Sequence, residues 1–275
     1  MPNRQPSHLR RRHDSTDPAL AGRHALVTGA SSGLGADFAR ELARRGASLT
    51  LVARREDRLR ALRDELAAAG AGAEVAALDL NDPGPSDRLL ADAEAHRRPV
   101  DVLVNNAGFG LYGPFATLDW ARERAMLELD VIVPVHLTKL FLPGMLERRA
   151  GWVLNVASIG AYQPSPLYAS YSAAKSFILN WTEALSYELR GSGMVATCLS
   201  PGVVATEFLQ VAGQRATRYQ RLARMDSPTV ARIGVEAMLQ GRPSLVPGRL
   251  NAASVWSNRL LPRRVSAALA HRLMT

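Results

Sequence analysis

"RHALVTGASSGLGADFARELARRGASLTLVARRE" (residues 23–56) decides the fold. His24–Thr28 reads as a short apolar strand, and Gly29, Gly33 and Gly35 follow it. Behind the glycines, Phe38, Leu42 and Ala43 recur at helical spacing, and "SLTLVA" (48–53) predicts a second strand. A glycine turn between a strand and a helix lets backbone N–H groups and the positive helix end approach a pyrophosphate. Three glycines alone say little. Strand, turn, helix and strand in this order supply the context the motif requires.

The position after the second strand separates two dinucleotides. An acid there would hydrogen-bond an adenosine ribose and repel a 2′-phosphate. Here Arg54 and Arg55 follow Ala53, and a guanidinium pairs a phosphate through two charge-assisted bonds. Arg54 is the expected reader of that phosphate, and NADP(H) the expected cofactor.

Further strands are predicted at "AEVAALDL" (73–80), "VDVLVNN" (100–106), "GWVLNVAS" (151–158), "MVATCLSPG" (194–202) and "SLVPG" (244–248). Helical patterns fill about 57–69, 86–97, 117–149 and 168–190. This alternation predicts an α/β fold, a Rossmann-like doubly wound parallel sheet of about seven strands in a single domain. Ligands bind such sheets at the carboxyl ends of the strands. Ser158 closes one strand, Pro201 and Gly202 the next, and Asn105, Asn106, Ala107 and Gly108 a third.

"YSAAK" (171–175) holds one of only two lysines among 34 basic residues; the other is Lys139. Lys offers a compact charge with a tunable proton, which Arg does not. Tyr171 and Lys175 stand four apart and share a helix face. A neighbouring ammonium favours the phenolate, so Lys175 is expected to lower the Tyr171 pKa and fit it for general acid/base work. Ser158 supplies a hydroxyl for the substrate oxygen.

"TGASSGLG" (28–35), "NNAG" (105–108), Ser158, "YSAAK" and "PGVVAT" (201–206) occur in this order. Together they resemble the short-chain dehydrogenase/reductase family over roughly residues 22–248. The resemblance implies that Ser158 orients the substrate oxygen, Tyr171 transfers the proton, and Lys175 assists it and binds the nicotinamide ribose. It places the glycine turn (Gly29, Ser31, Ser32, Gly33, Leu34 and Gly35) on the pyrophosphate. It sets Asp79 and Leu80 at the adenine, Asn105 at the adenine-side ribose, and Ala107 and Gly108 beside the cofactor. Val204 would meet the carboxamide through its backbone, with Thr206 nearby, and Pro201 and Gly202 would also bind the cofactor. Asp130 departs from the pattern, standing where the family usually has Asn. It adds a carboxylate near Lys175 at a helix kink. Tyr168 is the rival phenol and reads as a pocket wall.

The implied activity is NADPH-dependent interconversion of a carbonyl and a secondary alcohol on an apolar small molecule. The other readings are a non-catalytic NADP(H)-sensing binding protein and a membrane-surface lipid-modifying reductase. The net charge of +9 lies at the two ends of the chain, which leaves 25–240 neutral; nucleic-acid binding is not expected. The single Cys198 argues against a disulfide framework, and six scattered histidines predict no metal site. A cytoplasmic homo-oligomer is expected. Residues 1–21 read as a disordered basic arm, 22–248 as the dehydrogenase domain with a lid at 203–226, and 249–275 as a basic amphipathic extension. On the last, Val265, Ala268, Leu269 and Leu273 form the predicted apolar face, suited to weak contact with an anionic membrane or to packing on protein.

Overall fold

The computed structural model describes residues 19–275. The basic arm read at the amino end falls, through residue 18, outside the described residues. Leu20 already belongs to the folded body: it is fully buried, and its N–H donates to the Arg45 carbonyl at 2.9 Å.

The first half comprises β1 (His24–Thr28), α1 (Gly33–Arg44), β2 (Ser48–Ala53), α2 (Glu56–Ala68), β3 (Ala73–Ala77), α3 (Pro85–Ala95) and β4 (Val102–Asn105). Then follow α4 (Trp120–Leu127), α5 (Val133–Glu147), β5 (Gly151–Val156), α6 (Ala169–Glu188) and β6 (Met194–Leu199). The last third holds α7 (Phe208–Ala212), α8 (Arg218–Leu222), α9 (Ser227–Leu239), β7 (Ser244–Leu245), α10 (Arg249–Asn258) and α11 (Arg263–Met274). Seven parallel strands, the number the sequence predicts, lie in the order β3-β2-β1-β4-β5-β6-β7. The order reverses between β1 and β4, and that reversal opens a crevice at the carboxyl ends of the strands.

Each face of the sheet is covered by helices. Phe38 and Leu42 of α1, Leu59 and Leu62 of α2, and Val230 and Val235 of α9 pack on one face. Leu89 of α3 and Val133, Leu137 and Phe141 of α5 cover the other. Central strand residues are buried on both sides, so β1 reads as the continuous apolar run "HALVT" rather than an alternating one.

The helix predicted over 117–149 is not continuous. It breaks into α4, a π-helical turn at Glu128–Ile132, and α5. Pro134 explains the break. It has no N–H for the carbonyl of Asp130, and its ring would press on that carbonyl in a regular helix. The wider turn relieves both conflicts.

Candidate active site

A cavity of about 690 Å³ occupies the crevice. Every cofactor-binding and catalytic residue expected from the sequence lines it except Asn105 and Asp130. At its β1 end the glycine turn is dictated by close approach. Gly29 has φ of 70°, and a Cβ on Gly35 would collide with the Gly29 carbonyl oxygen. Ser32 precedes α1 without capping it, so first-turn N–H groups remain open toward the crevice. Beyond β3, the buried Asn81 Oδ1 has no partner and belongs to the cavity lining. A peptide-lined turn at one end and an orphaned acceptor at the other fit a dinucleotide.

The two arginines after β2 diverge. Arg54 is 72% exposed and reaches only Asp79, at 3.5 Å. Arg55 folds back over the glycine turn, where Nε donates to Ser31 Oγ (3.2 Å) and a terminal nitrogen to Ser32 Oγ (2.6 Å). Its other terminal nitrogen pairs with Glu207 at 3.0 Å, and Arg58 pairs with the same carboxylate at 2.8 Å. These two arginines hold the Glu207 carboxyl below its usual range, Arg58 more strongly. Arg55, not Arg54, is the guanidinium fixed beside the phosphate turn. The sequence could not separate adjacent arginines, because Glu207 lies far along the chain.

Past β5, Ser158 begins a short 3-10 turn and its hydroxyl accepts from the Gly160 N–H at 3.1 Å. Tyr171 and Lys175 follow on the first turns of α6. Lys175 Nζ lies 5.7 Å from the centre of the Tyr171 ring, donates to the Val156 carbonyl at 3.1 Å, and sits 3.3 Å from Asp130 Oδ2. The expected lowering of the Tyr171 pKa does not occur. Burial raises it, the Asp130 charge raises it further, and the neighbouring Ser158 hydroxyl opposes both. Lys175 and Asp130 face each other as a buried ion pair.

Asp130 stands behind the cavity wall, fully enclosed, on the π turn. Its Oδ1 accepts from the Phe109 N–H at 3.2 Å. Burial raises its pKa, while Lys175 and that N–H pull it down. Gly108 presses on this carboxylate, with no room for a Cβ.

Asn105 is displaced from its expected role. Its amide is buried within the sheet and donates to Asn155 Oδ1 (2.8 Å) and Thr138 Oγ1 (3.2 Å), so it does not reach the cavity. Asn106 lines the cavity instead, tied to the Thr28 carbonyl at 2.9 Å. Tyr168 is a wall, as expected: its hydroxyl donates to Gln214 Oε1 at 2.9 Å and is not free for chemistry. Cys198 is inert strand packing, and burial pushes its thiol up to about 12. Among the described residues no cluster suits a metal ion.

The lid is closed at its base by a bridge between Val204 and Met225. Between them α7 and α8 present Phe208, Leu209 and Tyr219 inward, while Arg215, Arg218, Arg221 and Arg224 face solvent. Over the lid lies the chain's final segment. The face predicted for it is rotated by about one residue: Val265 and Ala268 are exposed, and Ser266 and Ala270 are buried. These small residues permit close packing, and Ser266 Oγ bonds Asn258 Oδ1 at 3.1 Å. The tail docks on protein, and Leu269, Leu273 and Met274 line the cavity. Sequence periodicity missed this wall because it marks a face, not what the face meets.

Residues 23–216 match the family model described as short chain dehydrogenase. The chain is 39% identical over 194 residues to a short chain dehydrogenase of Pseudocercospora fijiensis, covering 69% of this chain and 62% of that relative. It is 32% identical over 256 residues to a fatty acyl-CoA reductase of Mycobacterium tuberculosis, covering 92% and 85%. A solved short-chain dehydrogenase from Sphingobium yanoikuyae, in complex with NADPH, superposes with a TM-score of 0.78 at 28% identity, over 86% of this chain and 91% of that one. The doubly wound parallel sheet agrees with these matches, and the chain belongs to the short-chain dehydrogenase family.

Proposed function

We propose that the protein is an NADPH-dependent reductase of ketones carrying an apolar arm, with Tyr171 as general acid. One observation carries the reading: Ser158, Tyr171 and Lys175 line the same cavity, with Lys175 Nζ 5.7 Å from the centre of the Tyr171 ring. The raised Tyr171 pKa keeps the phenol protonated at neutral pH, the state needed to donate to a carbonyl oxygen as that oxygen gains charge. Ser158 holds the same oxygen. Lys175, backed by Asp130, orients the cofactor ribose, and the cofactor supplies the hydride. Arg55 takes the 2′-phosphate, with Arg54 and Asp79 at the adenine rim.

The apolar wall supports the substrate class. Tyr168, Tyr171 and Phe208 line the cavity with ring centres 5.4 to 5.6 Å apart, and Tyr112 packs on Tyr168 behind them at 5.3 Å. The similarity to a fatty acyl-CoA reductase over 92% of this chain supports an elongated arm. NADPH oxidation across a panel of ketones, with wild type and Tyr171→Phe, tests the reading. The variant should lose ~10²–10⁴-fold in kcat while binding NADPH normally. Turnover near wild type would overturn it.

A further inference from the structure

The last two backbone carbonyls of α11 are held by side chains from elsewhere. Met274 O accepts from Gln214 Nε2 at 2.9 Å and from the Tyr112 hydroxyl at 3.2 Å. Leu273 O accepts from Thr217 Oγ1 at 2.9 Å. Helix carbonyls at a carboxyl end lack partners within the helix, so three donors converging there fix its position. Gln214 is the centre of the arrangement. Its Oε1 accepts from the Tyr168 hydroxyl and, at 3.0 Å, from Gln220 Nε2, while its Nε2 reaches Met274. One buried amide therefore joins the lid, the tail helix and the start of α6. Tyr168 in turn packs on Tyr171, ring centres 5.6 Å apart.

We propose that α11 is the outer wall of the substrate chamber and that Gln214 is the positioning residue that latches it there. The arm of an extended apolar ketone lies between Leu209 and Val211 of the lid and Leu269 and Leu273 of α11. This rests on the ketone-reductase reading above for the substrate, but not for the latch. Burying each methylene against such a wall tightens binding about fourfold, so chain length is read by how much wall is in place. A displaced α11 forfeits that gain for long substrates and leaves short ones untouched.

The experiment compares wild type, Gln214→Leu and Tyr112→Phe. Three quantities are measured: KM and kcat for 2-alkanones from four to twelve carbons, the NADPH Kd by fluorescence, and hydrogen exchange across 203–226 and 263–275. In Gln214→Leu the KM should rise about tenfold for the longest ketones and less than twofold for the shortest, with kcat and NADPH Kd nearly unchanged. A lost buried hydrogen bond has this scale. Exchange should quicken in both segments together. Tyr112→Phe, which removes one donor and no bulk, should show the same pattern at smaller amplitude. Equal KM changes at all lengths, or unchanged exchange in both variants, would overturn the proposal. If wild type reduces no member of the series, the ketone-reductase reading fails, and the exchange data still decide whether Gln214 latches α11.

Discussion

Lys175 Nζ sits 3.3 Å from Asp130 Oδ2, and both side chains are buried. The pair sets the charge felt by Tyr171. With the carboxylate present, deprotonating the phenol adds a second negative charge to an enclosed site, which raises its pKa.

Asp130→Asn should therefore move the alkaline limb of the reduction profile. Reduction needs the protonated phenol, so the rate falls as pH rises through the Tyr171 pKa. Removing the Asp130 charge lowers that pKa, and the fall should begin at lower pH. Profiles of kcat for both proteins check this. A limb that stays in place would mean that the carboxylate serves only Phe109 and the helix turn.

Cofactor preference should follow Arg55. Arg55→Ala should weaken NADPH by about 1.5–3 kcal/mol, or ~10–150-fold, with little effect on NADH. Arg54→Ala should cost much less, because that guanidinium is exposed and held only by Asp79 at 3.5 Å. Glu207→Gln should tighten NADPH by about two- to threefold, since the carboxylate competes for the same arginine through an exposed pair. Fluorescence titration of both cofactors against the three variants separates these effects. Equal losses for Arg54→Ala and Arg55→Ala would remove the distinction.

His24 should make stability sensitive to mild acid. Its ring bridges Ser48 Oγ (2.8 Å) and Thr50 Oγ1 (2.9 Å) at the foot of the sheet. Burial lowers its pKa, helped by Arg98 and opposed by Glu74 and Asp101. The folded state then resists a proton that the unfolded chain accepts, so stability declines as pH drops below the unfolded value near 6.5 and continues to decline until the lower folded value is passed. Tm measured between pH 7.5 and 5 should fall more steeply for wild type than for His24→Gln. Parallel curves would assign the acid sensitivity to other groups.

The fold was legible because its signals are local. Gly29 is required by its left-handed φ and Gly35 by the Gly29 carbonyl in the same turn, and the strands are buried runs that announce themselves. Ser158, Tyr171 and Lys175 were legible as a set because α6 places two of them by simple helical spacing and the end of β5 places the third. What escaped depended on distant partners. Arg55 is chosen over Arg54 by Ser31, Ser32 and a lid glutamate. Asn105 turns inward because Asn155 and Thr138 wait across the sheet. The Tyr171 pKa rises because folding removes water from it and sets the Asp130 charge nearby.

The π turn at Glu128–Ile132 makes α4 and α5 a matter of phase. Five residues close each hydrogen-bonded loop there where an α-helix uses four, so α5 is rotated about 100° from the heading that an unbroken helix would have given it. That offset turns Glu123 toward Ser170 of α6 on one side of the turn and sets Val133 and Leu137 into the core beside the sheet on the other. The segment encodes a count as well as a composition. Exchanging one side chain for another leaves the count intact, whereas losing a single residue would swing a whole buried face of α4 toward water and carry Asp130 away from Lys175.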